Sequence, residues 1–141
     1  MMLASRVWAV CLTAVAALTL AACEPMGPDE LQREVETIGS TAAEGSVLAD
    51  QIATQRTKRI FARVQARELG DGADHSAERL TDAHPQDDLI AAQNRAITLA
   101  EQVSDQLGAL ETAPDDAAAA KAAAAKLRAL AAKASGLAES L

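Results

Sequence analysis

The chain has 141 residues, room for one domain, and half of them are hydrophobic, yet it holds one Trp, one Phe and no Tyr. A core built almost without aromatics must rest on Leu, Ile, Val and Ala, and Ala-rich segments lacking strand-like alternation specify an all-α fold. With 20 acidic against 13 basic side chains, a net charge of −7, the composition offers neither the basic surface nor the stacking platforms of a nucleic-acid binder.

The amino-terminal segment is organised in three parts. Arg6 is the only charge in the first 22 residues, residues 7–19 form an apolar run (VWAVCLTAVAALT), and Leu20-Ala21-Ala22-Cys23 follows. The run has the length of a secretory h-region, is short for a membrane span, and has no stop-transfer pattern behind it. Small residues before a cleavage point suit the narrow cleft of a signal peptidase.

Charge, apolar length and final box together resemble the precursors of bacterial lipoproteins. Their lipobox reads aliphatic, small or aliphatic, then Gly, Ala or Ser, then Cys, and Leu20, Ala21, Ala22 and Cys23 fit each position. The resemblance covers residues 1–23 and implies cleavage after Ala22, with a diacylglycerol thioether, and so palmitate-type acyl chains, on Cys23. Each buried methylene contributes ~0.8 kcal/mol, so two chains anchor stably where one would not. Cys11 is an apolar filler of the leader, and acylation of Cys23 would leave the mature chain without a thiol. Removing residues 1–22 leaves 119 of the 141 residues. It also takes away Arg6, shifting the charge from −7 to −8, and Trp8, leaving Phe61 as the one aromatic.

Residues 23–27 are expected to be a lipidated tether, with residues 24–27 reaching at most about 17 Å. Pro28, Asp29 and Glu30 then have the residue types of a first helical turn. Leu31, Val35, Ile38 and Ala42 continue the pattern, and one helix is expected from residue 28 to about 69. Gly39 and the box Thr41-Ala42-Ala43-Glu44 allow a bend or break near residue 40. Gly70-Asp71-Gly72 is expected to turn the chain, with a short helix over about 74–83 after it. Pro85 disfavours helix at His84 and starts another helix itself. Its residues 86–112 carry Leu89, Ala92, Ala96, Leu99, Val103 and Leu110 on one face, widened by Ile90, Ile97 and Leu107.

Thr112 is the expected N-cap of a last helix over 115–140, with Ala120, Ala123, Leu127, Leu130, Ala134, Leu137 and Leu141 at heptad-like, coiled-coil spacing. The low-complexity run in this helix suits either packing, a free spacer or self-association. Packing is the expectation: a slim, Ala-rich antiparallel bundle of three to four helices over residues 28–141, monomeric rather than homo-oligomeric.

Arg56, Lys58, Arg59, Arg63 and Arg67 fall in a stretch without an acid between residues 51 and 67. Arg56, Arg59, Arg63 and Arg67 are spaced as one helical ridge. That ridge suits anionic headgroups or an acidic envelope polymer. The simpler expectation is pairing in a hairpin with Asp71, Asp74, Glu78, Asp82, Asp87 and Asp88 across the glycine turn. His75 shares a helix face with Glu78, but exposed carboxylates beside one imidazole do not amount to a metal site. Ser76 and His75 are neighbours, which a helix points about 100° apart, and no nucleophile elbow or phosphate loop occurs. An enzyme is not expected, nor any metal or cofactor beyond the covalent lipid on Cys23.

The sequence therefore leads to a membrane-anchored, non-enzymatic helical lipoprotein that acts in the cell envelope through contacts with another envelope protein or as a structural spacer. The competing expectation is a binding protein for a small apolar or metal ligand between the helices. The location implied by the lipobox is the periplasmic side of an outer membrane where the cell has one, and the outer face of the cell membrane otherwise. Two further lipoprotein patterns are unmatched. The chain ends Glu139-Ser140-Leu141, without the terminal lysine of peptidoglycan-linked helical lipoproteins. Leu80-Thr81-Asp82-Ala83-His84 departs at its last position from the Leu-Thr-x-x-Gln signature of helical periplasmic chaperones.

Overall fold

Pro28 opens the first helix, α1 (Pro28–Ala53), with Asp29 and Glu30 in the turn where the positive end of the helix dipole favours them. The computed structural model of the protein describes residues 25–141; the leader, Leu20-Ala21-Ala22 and Cys23 lie outside the described residues. Leu31, Val35, Ile38 and Ala42 are buried as the spacing predicts, and the stripe continues through Gly45, Leu48, Ala49 and Ile52. The helix runs through the candidate break near residue 40. Thr41 donates its hydroxyl to the Thr37 carbonyl at 3.0 Å, which holds it inside the helix instead of capping a new one.

The helix expected to reach residue 69 stops at Ala53. Gln55 takes a left-handed conformation, φ 56°, and the chain reverses there. The Arg56 N–H bonds the Gln51 carbonyl at 2.8 Å and the Gln55 N–H bonds the Ile52 carbonyl at 3.0 Å. Those two bonds make a Schellman ending, which usually places Gly at the left-handed position. Gln gives no sequence signal for it and carries the steric cost of a Cβ there. Gln55→Gly should therefore raise stability by about 0.5–1 kcal/mol in thermal or denaturant unfolding. A loss of stability would show that the Gln55 side chain contributes more than its backbone strain costs.

The second helix, α2 (Arg59–Asp82), passes directly through Gly70-Asp71-Gly72. The expected turn is absent, and the expected short helix over 74–83 is the second half of α2. Two glycines in a helix cost about 1 kcal/mol each relative to Ala, but Ala62, Ala66, Gly70, Ala73 and Leu80 form one continuous buried face. Packing on that face outweighs the propensity. Gly70 belongs to it, since a Cβ there would lie 3.7 Å from the Leu107 Cβ.

α2 ends before His84-Pro85, as predicted, with Ala83 extended. A short 3-10 turn (Asp87–Leu89) precedes the third helix, α3 (Ile90–Thr112). Every residue of its expected main stripe is buried, and so is Leu107, whereas Ile97 is half-buried and Ile90 is exposed. Gln93 is a buried polar member of this face. Its amide donates to the Leu80 carbonyl and, at 3.1 Å, to the Ala83 carbonyl, satisfying acceptors at the C-terminal end of α2.

The fourth helix, α4 (Ala117–Ala138), is capped by Asp116, whose Oδ1 accepts the Ala119 N–H at 2.9 Å. Thr112, the expected cap, is the last residue of α3 and donates its hydroxyl to the Gly108 carbonyl. Pro114 displaces the start of the helix by a few residues, so the acid at 116 is the one in place.

Successive helices run antiparallel and pack as neighbours around the bundle, with α4 closing against α1 through the most extensive contact. α1 also touches α3 across the diagonal. Small residues permit this close approach: a Cβ on Gly39 would meet the Ala134 Cβ at 3.2 Å. Met26 joins the core at 5% exposure. Its N–H donates to the His84 carbonyl at 2.8 Å, and its carbonyl accepts the Gln86 N–H at 3.4 Å. Met26, inside the stretch expected to be tether, is thus packed in the bundle. Among the described residues no helix is long and apolar enough to cross a membrane.

Candidate interaction surface

The up-and-down topology gives the bundle two ends of different character. One end gathers Met26, the start of α1, the His84-Pro85 connection and the C-terminus of α4. The other gathers the loops 54–58 and 113–116 with the first turns of α2 and α4. Ile60 precedes Asp82 by 22 positions on α2, so the two ends are separated by about 33 Å at 1.5 Å per residue.

At the second end, Ile60 is 80% exposed, Phe61 55% and Val64 49%. They stand on the outer side of α2, out of register with the buried Ala62, Ala66 and Gly70. The exposed cations Arg56, Lys58, Arg59, Arg63 and Arg67 lie beside them. An isolated exposed apolar residue needs no explanation, but three neighbouring ones flanked by cations mark a contact surface, which Glu68 borders one turn beyond Val64.

The cations are not arranged for helix stability. Lys58 is the N-cap of α2, Arg59 is its first residue, and no acid occupies the first turn. Positive charge is disfavoured at that end of a helix dipole. Two of the five have acidic partners, though not the expected ones. Arg67 bonds Glu111 through Nε at 2.8 Å and Nη2 at 2.5 Å, and Arg59 lies 3.7 Å from Asp115. Exposed pairs of this kind contribute little to stability. Arg56 sits in the loop before α2, while Arg59, Arg63 and Arg67 line one flank of the helix. Arg56, Lys58 and Arg63 make no ion pair among the described residues.

The hairpin pairing between this ridge and the acids of 71–88 does not form. Arg59, Arg63 and Arg67 share one continuous helix with Asp71, Asp74, Glu78 and Asp82, so the acids follow the ridge towards the other end of the bundle and do not fold back on it. Asp71, Asp74, Glu78 and Asp82 are exposed along the second half of α2, and Asp87 and Asp88 follow in the connection. Arg79, the cation among them, bonds Glu34 of α1 at 2.7 Å.

The remaining candidate residues do not converge. His75 Nδ1 is 3.8 Å from Glu78 Oε2, both strongly exposed, and among the described residues no group of three or more ligand-type side chains is gathered. Ser76 is buried while His75 faces solvent, so the neighbours diverge as helix geometry requires. The His84 carbonyl is occupied by Met26. Between α3 and α4 lies an open groove of about 670 Å³, with Arg95, Gln102 and Lys133 among its polar lining and Leu99 and Leu137 at its base.

Sequence reading identified the arginine ridge but not Lys58, Ile60, Phe61 and Val64 as parts of one surface. The available signal was Phe61 itself. The one aromatic of the described chain falls outside the Ala62–Ala66–Ala73 register, which a helix phased from residue 59 makes visible. No protein-family model matches the chain, and neither a curated protein nor a solved structure is similar to it.

Proposed function

We propose that the chain is a lipoprotein, acylated on Cys23, whose helical bundle acts in the cell envelope without catalysis, as a spacer that carries a contact surface. The observation that supports this reading best is the division of labour between the two ends. Met26 is fixed in the core at one end, so Glu24 and Pro25 alone separate Cys23 from the packed domain, a reach of roughly 11 Å from Cys23 to Met26. The exposed apolar and basic cluster lies at the other end. A helical bundle about 33 Å long thus separates the lipid from the surface it presents.

A ligand lodged between helices is the competing reading, and it asks for an enclosed cavity with converging polar groups. The groove between α3 and α4 is open along its length and its polar residues are spread around it. The exposed cluster on α2 favours contact with a partner surface instead.

Anchoring is tested through Cys23. The wild-type protein should incorporate labelled palmitate and partition into detergent, while Cys23→Ser should remain an unacylated precursor. Equal incorporation by the two would place the lipid elsewhere and remove the basis for the spacer reading.

A further inference from the structure

We infer that the cluster formed by Ile60, Phe61 and Val64 with Arg56, Lys58 and Arg63 is a docking site for an anionic phospholipid surface, and that this surface belongs to a second bilayer, not the one that holds Cys23. The first statement stands on the cluster alone; the second rests on the lipid-anchor reading above.

The chemistry of the cluster sets the class of partner. Three apolar residues lie on the outer side of a helix, exposed at 80, 55 and 49%. Together they offer on the order of 300 Å² of apolar surface, against the ~800 Å² per partner of a stable protein pair. Shallow insertion between headgroups needs no such area, because apolar side chains enter the interface while flanking cations hold the phosphates. Arg56, Lys58 and Arg63 are exposed and make no ion pair among the described residues. Glu111 and Asp115 are engaged by Arg67 and Arg59, and the exposed Glu68, one turn beyond Val64, is the acid that borders the cluster on its own helix. The first-turn N–H groups of α2 add positive potential that no acid in that turn offsets. A second copy of the chain is a poorer occupant. Two copies meeting tip to tip would oppose their cations, and a copy turned end to end would gain only exposed pairs of Glu78 and Asp82 with Arg59 and Arg63, each worth little, while setting the same acids against Phe61.

The position of the cluster sets which bilayer it meets. Laying the bundle on the anchoring membrane with α2 downward would press Asp71, Glu78 and Asp82 into the same anionic headgroups. Repulsion along that half of the helix, with a link of two residues at the other end, favours the bundle standing away from the membrane. The cluster then faces a surface at least about 33 Å away.

The experiment has two arms. Every core residue among those described lies from Met26 onward, so a form beginning at Glu24 carries the whole described bundle. Trp8 is the one tryptophan of the chain, which makes the indole introduced by Phe61→Trp the single such fluorophore of that form. Its emission should shift to the blue with phosphatidylglycerol–phosphatidylcholine vesicles and not with phosphatidylcholine alone, and salt should reverse the shift. Adding Arg56→Glu, Lys58→Glu and Arg63→Glu should weaken binding by about fivefold or more per position at an unchanged melting temperature. No shift, or a shift indifferent to these charges, overturns the docking site. Protection of the introduced indole by dimerisation without vesicles would overturn it too, and assign the cluster to a second copy.

In the second arm, acylated protein in phosphatidylcholine vesicles should cluster added anionic vesicles, and Ile60→Ser with Val64→Ser should abolish clustering. If emission shifts only when the anionic lipid is in the anchoring bilayer, the second-bilayer assignment fails while docking survives. Failure of palmitate incorporation at Cys23 would instead sink the anchor reading and leave the first arm intact.

Discussion

Leu127→Asp should unfold the bundle at ordinary temperature or lower its melting temperature by roughly 20 °C. Leu127 has no exposed surface and packs where α4 meets α1, so an aspartate there is a buried carboxylate without a partner. Such a charge costs several kcal/mol, a large part of the 5–15 kcal/mol that holds an ordinary domain together. Circular dichroism should record loss of helix well beyond α4, because α1 loses its principal packing partner at the same time. Hydrogen exchange in the wild type should show amides of 117–138 protected to the same degree as those of α1. If Leu127→Asp melts like the wild type and those amides exchange freely, α4 is a detached spacer and the four-helix arrangement is incorrect.

The second large effect is expected at Gly45, with a contrast built into the chain. A Cβ at Gly45 would stand 2.8 Å from Leu107 Cδ2 and 3.3 Å from Leu127 Cδ1. This is the point where α1 approaches both α3 and α4. Gly45→Val adds two branches that neither leucine has room to accommodate, and should cost about 3 kcal/mol or more. Gly45→Ala requires one leucine terminus to move, while the helix gains about 1 kcal/mol of propensity, so its net effect should be far smaller. Gly72 provides the control. A Cβ there meets nothing within 4 Å, so Gly72→Ala should stabilise the protein by about 1 kcal/mol. Equal responses of the two glycines to alanine and valine would mean that close helix approach at residue 45 does not occur.

Some errors of the sequence reading share one cause. At Gly70-Asp71-Gly72 three residues favourable to a turn lie together, yet the deciding term is the match of Ala62, Ala66, Gly70 and Ala73 to the surface of α3. That match depends on residues such as Leu107, far away in sequence. At Gln55 the reverse holds, since the chain turns at a residue whose type gives no sign of it. The error in charge pairing followed from these two. With the turn placed at 70–72, the arginines and the acids of 71–88 face each other; with it placed at 54–58, they lie end to end and the arginines meet Glu111 and Asp115 instead.

Local chemistry and periodicity determined much by themselves. Pro28 with the acids Asp29 and Glu30, Pro85 after His84, and Pro114 mark helix ends because a proline constrains its own φ and its neighbour whatever surrounds it. The buried stripes of α1, α3 and α4 follow from residue spacing, since a helix puts every third and fourth side chain on one side. Lipid attachment at Cys23 is likewise an expectation of sequence alone, carried by Arg6, the apolar run and Leu20-Ala21-Ala22. The tertiary structure decided what depends on distant partners: that α2 stays helical through two glycines, that α4 packs against α1, and that Met26 belongs to the core. It also decided that Phe61, with Ile60 and Val64, faces outward. Hydrophobicity alone would bury these three, but α2 has one inner face, and the alanines that allow close helix approach already occupy it.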